Sequence, residues 1–496
     1  MNLVELLLAH AAPPDAPAVR EGRDTVTHGE LAARAARFAG ALRARGVGPH
    51  DRVALVAPNG IGFVVAYLGA LHRGAAVAPL NPHAPRPELA REIAAVDARL
   101  VVTGSEVAVE AAADRPVVAV PEARAVLDGG EPIAVEQTSD DDPAALLFTS
   151  GTAGPSKAAV LTHGSLAANL RQVLGHPGLA LTADDVALGV LPFFHVFGLN
   201  VALGVPLAAG ASVVVVADFD PHATLALLAE EGVTVVAGVP SMFRAWLEVP
   251  DAPPEAFAGV RLAVSGAAAL PEEIAAAFRE RFGVVLHQGY GLTEASPIVT
   301  TTALVDDPRA GSIGPPLPGV EVRLVDADGS DVLVGDPGEI WVRGPNVFAG
   351  YWDDPEATAR ARTPEGWLRT GDVAVADVEG VLSLVDRTKD VIIVSGFNVY
   401  PAEVEDALRQ HPHVVDAAVV GEPHERTGES VVAYVVPAPG TTPDPDELRS
   451  AVAGQLARYK CPSRVELVEA LPRTAVGKVL RRELRDEGPA TPSATL

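Results

Sequence analysis

Cysteine is nearly missing: Cys461 stands alone among 496 residues. One thiol excludes an intramolecular disulfide and any metal cluster built on cysteines, and a reducing cytoplasm is the expected setting. Positive charge is scarce as well, with 38 Lys+Arg against 64 Asp+Glu and a net charge of -26. Such a surface repels nucleic-acid phosphates and excludes a protein that tracks them. Backbone donors and a few local bases can still hold a nucleotide. No apolar run reaches the roughly twenty residues that span a bilayer, so no stable membrane insertion is expected. The short run Met1 to His10 has no basic leader and reads as a capping helix, not a signal peptide. Repeats and low-complexity linkers are lacking too, and only Gly488 to Leu496 has the composition of a loose tail.

What the chain does have is ample apolar surface. Apolar residues make up 48% and charged residues 21%, an ordinary globular balance, and the length suits a large domain plus a smaller one. Helical and strand patterns alternate through the first half. Leu31 to Arg45 reads as a helix, Asp51 to Ala57 as a strand, Ile61 to Arg73 as a helix and Ala75 to Leu80 as a strand. Short strands follow at Leu100 to Thr103, Asp184 to Val190, Ala211 to Val216, Val233 to Val236 and Arg261 to Val264. This alternation predicts an α/β fold of mostly parallel sheets with flanking helices. After about Gly311, strands separated by Asp-Gly and Pro-Gly turns predict a small antiparallel β subdomain. From about Arg387 the pattern becomes α+β. The expected organisation is an N-terminal domain over 1–385, a hinge over 386–391 and a C-terminal domain over 392–496.

Several segments carry polar chemistry. Thr149-Ser150-Gly151-Thr152-Ala153-Gly154-Pro155-Ser156-Lys157 follows an apolar strand, and its small residues let backbone N–H groups approach phosphate oxygens while Lys157 adds a cation. It is not a Walker A loop, since Ser156 and Ala158 occupy positions that need Gly and Ser or Thr. Gln288-Gly289-Tyr290-Gly291-Leu292-Thr293-Glu294 reads as a strand-end turn with an aromatic face for a base, a hydroxyl for phosphate and a carboxylate for Mg²⁺. Gly366 to Asp372 places a carboxylate in a glycine turn, suited to a ribose diol. His195 sits among Phe193, Phe194 and Phe197, either as a core histidine or lining an apolar pocket.

Taken in order, these segments together with Asp386 to Asp390 and Gly477-Lys478 resemble the adenylate-forming superfamily of acyl-CoA synthetases, adenylation domains and luciferase. The resemblance runs from about Leu31 to Leu484. Gly366 to Asp372, Val385-Asp386-Arg387 and Val394 to Pro401 are most similar to the signature of bacterial long- and medium-chain fatty acyl-CoA synthetases. It implies a large N-terminal domain and a small mobile C-terminal one, and it implies ATP, Mg²⁺ and coenzyme A. By resemblance the loop Thr149 to Lys157 holds the β,γ-phosphates, and Gly266, Ala267 and the backbone from Gln288 to Gly291 surround adenine, with Tyr290 stacked on it. Thr293 then touches the α-phosphate, Glu294 the Mg²⁺, and Asp372 and Arg387 the ribose. Lys389 occupies the hinge position, and Lys478 bridges the acyl carboxylate and the α-phosphate. Gly396, Phe397 and Asn398 resemble the pantetheine-channel segment, while His195 and Phe197 suit the acyl pocket.

Ala153, the transposed Pro155-Ser156 and Ala158 depart from the usual loop. The resemblance implies a fatty acid–CoA ligase working through acyl-AMP. An aryl- or hydroxycinnamoyl-CoA ligase, an adenylation enzyme loading a carrier protein and a silent acyl-adenylate binder are the alternatives. Many members are dimers, so a homodimer belongs among the expectations.

Overall fold

The computed structural model describes the chain except residues 9–11, 121–129, 150–156, 304, 306–307, 310, 388–389, 395–396, 425–426, 457, 475–476, 478 and 487–496. The described residues form two compact units, one of Met1–Val322 with Val342–Arg369 and one of Arg323–Trp341 with Thr370–Leu496. The small β region that sequence grouping assigns to the N-terminal domain thus clusters mainly with the C-terminal residues.

The first unit contains two large sheets. An eight-stranded sheet runs in the order Ile298–Thr301, Leu286–Gly291, Leu262–Ser265, Val235–Gly238, Val186–Gly189, Ser212–Val215, Pro17–Glu21, Asp24–Thr27. Its central strands are parallel and buried on both faces, which is why their sequences are nearly unbroken Val, Leu and Ala. Against one part of it packs a cluster of rings, Phe243, Trp246, Phe257, Phe278 and Phe282, meeting mostly edge to face at 4.8–5.5 Å. The Trp246 indole N–H donates to Thr224 Oγ1 at 2.9 Å, so the most buried indole leaves no donor unsatisfied.

The seven-stranded sheet runs Gly350–Tyr351, Lys157–Thr162, Pro143–Thr149, Ala76–Leu80, Arg52–Val56, Leu100–Thr103, Val117–Val118. Helix His28–Ala44 begins three residues before its expected start because Thr27 and Glu30 form a reciprocal capping box. It packs on helix Ile61–His72, where Gly69 lets the Phe38 ring lie directly against the backbone.

A four-stranded sheet, most of whose residues belong to the second unit, runs Glu321–Val325, Pro337–Arg343, Leu368–Ala376, Leu382–Arg387. A five-stranded sheet contains Phe397–Val399, Ile392–Val394, Gly428–Pro437, Val414–His424 and Arg464–Leu467. Helices Pro401–Arg409 and Pro445–Ala453 bury Val404, Leu408, Leu448 and Val452 against it. The second helix is shorter than the expected Asp444 to Ala457, since Gly454 caps it after nine residues.

Candidate active site

The parallel strands Val235–Gly238, Leu262–Ser265 and Leu286–Gly291 are in register, with Gly238 opposite Ser265 and Ser265 opposite Gln288. Their carboxyl ends therefore lie side by side, the usual position of a ligand crevice in an open α/β sheet. Gly266 continues the second strand, donating its N–H to Gly238 C=O at 3.0 Å. A Cβ on Gly266 would come within 3.0 Å of the Phe197 ring, so glycine here lets an aromatic wall lie on bare backbone. Ala267 follows with φ of 66°, turning the chain sharply away.

The segment Gln288 to Gly291 is strand, not the turn that its composition suggests. It pairs with Ile298–Thr301, Tyr290 standing opposite Thr300, and the reversal comes later at Thr293–Ala295. Pairing buries Tyr290, and the Gln288 side chain accepts Leu270 N–H at 3.1 Å. At Gly291 a Cβ would overlap Pro297 O at 2.1 Å, so only glycine closes this reversal.

Three buried asparagines from separate segments clamp that reversal. Asn346 donates to Ala295 C=O at 2.8 Å and Asn200 to Ser296 C=O at 2.7 Å. Asn169 donates to Ile298 C=O at 2.9 Å and accepts its N–H at 3.2 Å. Backbone groups that a tight turn would orphan are thereby satisfied, and half-buried Thr293 and Glu294 are held in place. A fourth buried asparagine, Asn59, accepts Phe193 N–H at 2.8 Å and positions the stretch that carries His195 and Phe197. Burial lowers the His195 imidazole pKa to about 4, so the imidazole is neutral at pH 7, and the Phe194 ring lies 4.5 Å away.

Lys157 begins strand Lys157–Thr162 and stands opposite Thr149; Ser150, Gly151, Thr152, Ala153 and Gly154 lie outside the described residues. Ala158, the departure from the usual glycine, is buried in an apolar cluster with Ala54, Leu146 and Val160. The sheet accommodates its methyl. Edge strand Gly350–Tyr351 runs antiparallel to this strand and brings two side chains to the site that sequence inspection did not single out. Tyr351 donates its hydroxyl to Glu294 Oε1 at 2.7 Å, and Asp354 Oδ2 accepts from Lys157 Nζ at 2.8 Å. Burial first, then the Glu294 charge, keeps the Tyr351 phenol protonated far above neutral pH. Lys157 holds the Asp354 carboxyl below its ordinary range.

In the second unit Asp372 lies within strand Leu368–Ala376 instead of a turn, the glycine reversal falling earlier, at Gly366. Asp372 and Arg387 are direct cross-strand partners, so the two residues expected at the ribose share one rung. Lys389, Gly396 and Lys478 lie outside the described residues, as do the side chains of Arg387, Phe397 and Asn398. Asp390 and Glu405 form a buried acid pair. Asp390 accepts from Arg485 at 3.0 Å and from Arg481 at 3.5 Å, while Glu405 accepts from Arg481 at 2.7 Å and from Val419 N–H at 2.8 Å.

The family model of AMP-binding enzymes matches residues 8–352, and that of the AMP-binding enzyme C-terminal domain matches residues 403–478. The chain belongs to the AMP-binding enzyme family. A feruloyl-CoA synthase of an Amycolatopsis species is 40% identical over 95% of this chain and 96% of its own length. A long-chain-fatty-acid–CoA ligase of Yersinia pestis is 36% identical over 95% and 92%. The crystal structure of ATP-bound MatB from Rhodopseudomonas palustris superposes with a TM-score of 0.92 at 35% identity, over 98% of both chains. This AMP-binding enzyme is accordingly an ATP-dependent, AMP-forming acyl-CoA ligase whose substrates are a carboxylic acid, ATP and coenzyme A.

For such an enzyme the first unit offers the bare backbone at Gly266, the Thr293 hydroxyl, the Glu294 and Asp354 carboxylates and the Lys157 ammonium. Among the described residues no group of three or more His, Cys, Asp or Glu is placed to hold a metal. One carboxylate with its second oxygen not given to Tyr351 fits Mg²⁺, which keeps its waters and arrives on phosphate oxygens. Among the described residues no helix is long and apolar enough to cross a membrane.

Proposed function

We propose that this AMP-binding enzyme joins coenzyme A to a compact apolar acid of the aryl or hydroxycinnamoyl class. The observation that carries this is the Phe197 ring lying on Gly266, backed by Met242, Phe243 and Trp246 packed as a filled wall. The Phe197 ring fills the space over Gly266, so the acid meets an aromatic face that a flat ring can stack against, whereas a long acyl chain needs a channel through that wall. The 40% identity with a feruloyl-CoA synthase supports the same choice. The fatty-acid reading is second and is supported by the 36% identity with a long-chain-fatty-acid–CoA ligase.

In the adenylation step Lys157 and the loop Thr149–Gly154 hold the β,γ-phosphates, Thr293 the α-phosphate, and Asp372 with Arg387 the ribose. Adenine lies along Gly266, Ala267 and the Gln288–Gly291 backbone. Glu294 would hold Mg²⁺, which when bound would supply positive charge toward the leaving pyrophosphate. Lys478 offsets the repulsion between acyl carboxylate and α-phosphate. Turning about Lys389 then withdraws Lys478 and brings Gly396, Phe397 and Asn398 to the thiol channel. His195, neutral, leaves the acyl pocket without a competing charge.

AMP release should be measured with ATP, Mg²⁺ and a panel from acetate to palmitate with benzoate, coumarate and ferulate, with and without coenzyme A. Coenzyme A-dependent release with the highest kcat/KM for an aromatic acid is expected; a maximum at palmitate would install the fatty-acid reading instead. Lys478→Ala should lower acid-dependent pyrophosphate exchange by about 10²- to 10³-fold while sparing thiol transfer from supplied acyl-AMP. Equal loss of both half-reactions would remove Lys478 from its role.

A further inference from the structure

Two charged groups on the phosphate side of the site are held by a single short segment. The edge strand Gly350–Tyr351 and the turn after it present Tyr351 to Glu294 and, three residues on, Asp354 to Lys157. The Tyr351 ring also lies 5.7 Å from Lys157 Nζ, and it meets Phe348 edge-on at 5.0 Å. The backbone fixes this arrangement: Ala349 and Trp352 donate to Val160 and Ala158 of the Lys157 strand at 3.0 and 2.8 Å, and Phe348 donates to Glu294 C=O at 2.9 Å.

We propose that Tyr351 and Asp354 are positioning residues for the ATP phosphates and pyrophosphate: Tyr351 aims the Glu294 carboxylate, and Asp354 restrains the Lys157 ammonium. This rests on the reading of Glu294 and Lys157 as phosphate-side groups. The Tyr351 hydroxyl donates to Oε1 and so leaves Oε2 for a metal ion. Asp354 acts in the opposite sense. Its Oδ2 competes with phosphate oxygens for Lys157, while Oδ1 accepts Ala357 N–H at 2.8 Å and caps the next helix. With side chains 28% and 34% exposed, the Lys157–Asp354 pair is an exchangeable one. The segment thus strengthens metal-dependent binding through one residue and limits phosphate retention through the other, which favours pyrophosphate release.

Calorimetric titration of the full-length enzyme with ATP and with pyrophosphate, with and without Mg²⁺, separates these effects. Asp354→Asn keeps a side-chain oxygen for the cap but removes the competing charge. Pyrophosphate should bind about two- to fivefold tighter, with or without metal, the range open to a partly exposed ion pair. Tyr351→Phe keeps the ring and removes the hydroxyl; the Mg²⁺ needed for half-saturation of ATP binding should rise about tenfold, with metal-free ATP affinity unchanged. Unchanged or weaker pyrophosphate binding in Asp354→Asn overturns the restraint, and equal weakening with and without metal in Tyr351→Phe overturns the aiming. Lys157→Ala and Glu294→Gln separate the layers: if neither alters ATP or pyrophosphate binding, the underlying reading falls and this inference with it. Normal losses in those two variants beside unchanged Asp354→Asn and Tyr351→Phe overturn the inference alone.

Discussion

Acid–base pairs are built in two ways in this molecule. Where strand Lys157–Thr162 begins, Lys157 and Asp354 are both partly open to water, and Glu294 has one neutral partner in Tyr351. In the C-terminal region, Asp390 and Glu405 have side chains only 6% and 7% exposed, and each accepts from an arginine and a second donor. A screened pair costs little to break and is free to exchange partners. A buried carboxylate with two donors is expensive to strip, so it holds backbone together. Similar residues therefore make an exchangeable pair in one region and fixed geometry in the other.

The sharpest way to break this contrast is Asp390→Asn. Removing the buried charge leaves Arg481 and Arg485 without their shared acid, and stability of the C-terminal sheet should fall by about 3 kcal/mol or more. Hydrogen exchange of the Val414–His424 amides in the full chain measures it; protection equal to the parent would erase the distinction. A smaller effect comes from the buried His163. Its Nδ1 accepts Leu3 N–H at 3.0 Å, and burial lowers its pKa from 6.5 to about 4. Between those values the unfolded chain binds more protons than the folded one. Stability from this group is therefore complete above pH 6.5 and lost as pH falls towards 4, by on the order of 2–3 kcal/mol. Thermal melts over that window should show a slope that His163→Gln flattens; an unchanged slope would count against it. Smallest of all, Asp354→Asn should scarcely move the melting midpoint while changing phosphate affinity, and a large drop in the midpoint would place that pair with the structural ones.

Much of the architecture could be read from the residues because buried parallel strands announce themselves. Leu100–Thr103 was expected to the residue, and Ala76–Leu80 and Leu262–Ser265 to within one. The strand Gln288–Gly291 escaped because its glycines mimic a turn, and its pairing to Ile298–Thr301 is a tertiary fact. Motifs point to Glu294 and Lys157 in the first unit and to Asp372 and Arg387 in the second, but not to the rung that the last two share. Nor do they point to Tyr351, Asp354 and the asparagines 59, 169, 200 and 346. Asp354 stands 197 residues from Lys157, and a lone asparagine in an apolar segment carries no local sign of the carbonyl it satisfies. Such partners are chosen by three-dimensional approach, on which periodicity is silent.

The rung that joins Asp372 to Arg387 also says where this enzyme can be re-engineered. Side chains alternate along a strand, so a one-residue insertion between either residue and the turn breaks the alignment of the pair. The turn between them tolerates more. Asp377 closes it with its own side chain, accepting from the N–H groups of Glu379 and Val381 at 2.9 Å, and Val378 at its tip is 92% exposed. Tags, affinity handles or crossover points for chimeric ligases belong at Val378, where added chain leaves both strands in step.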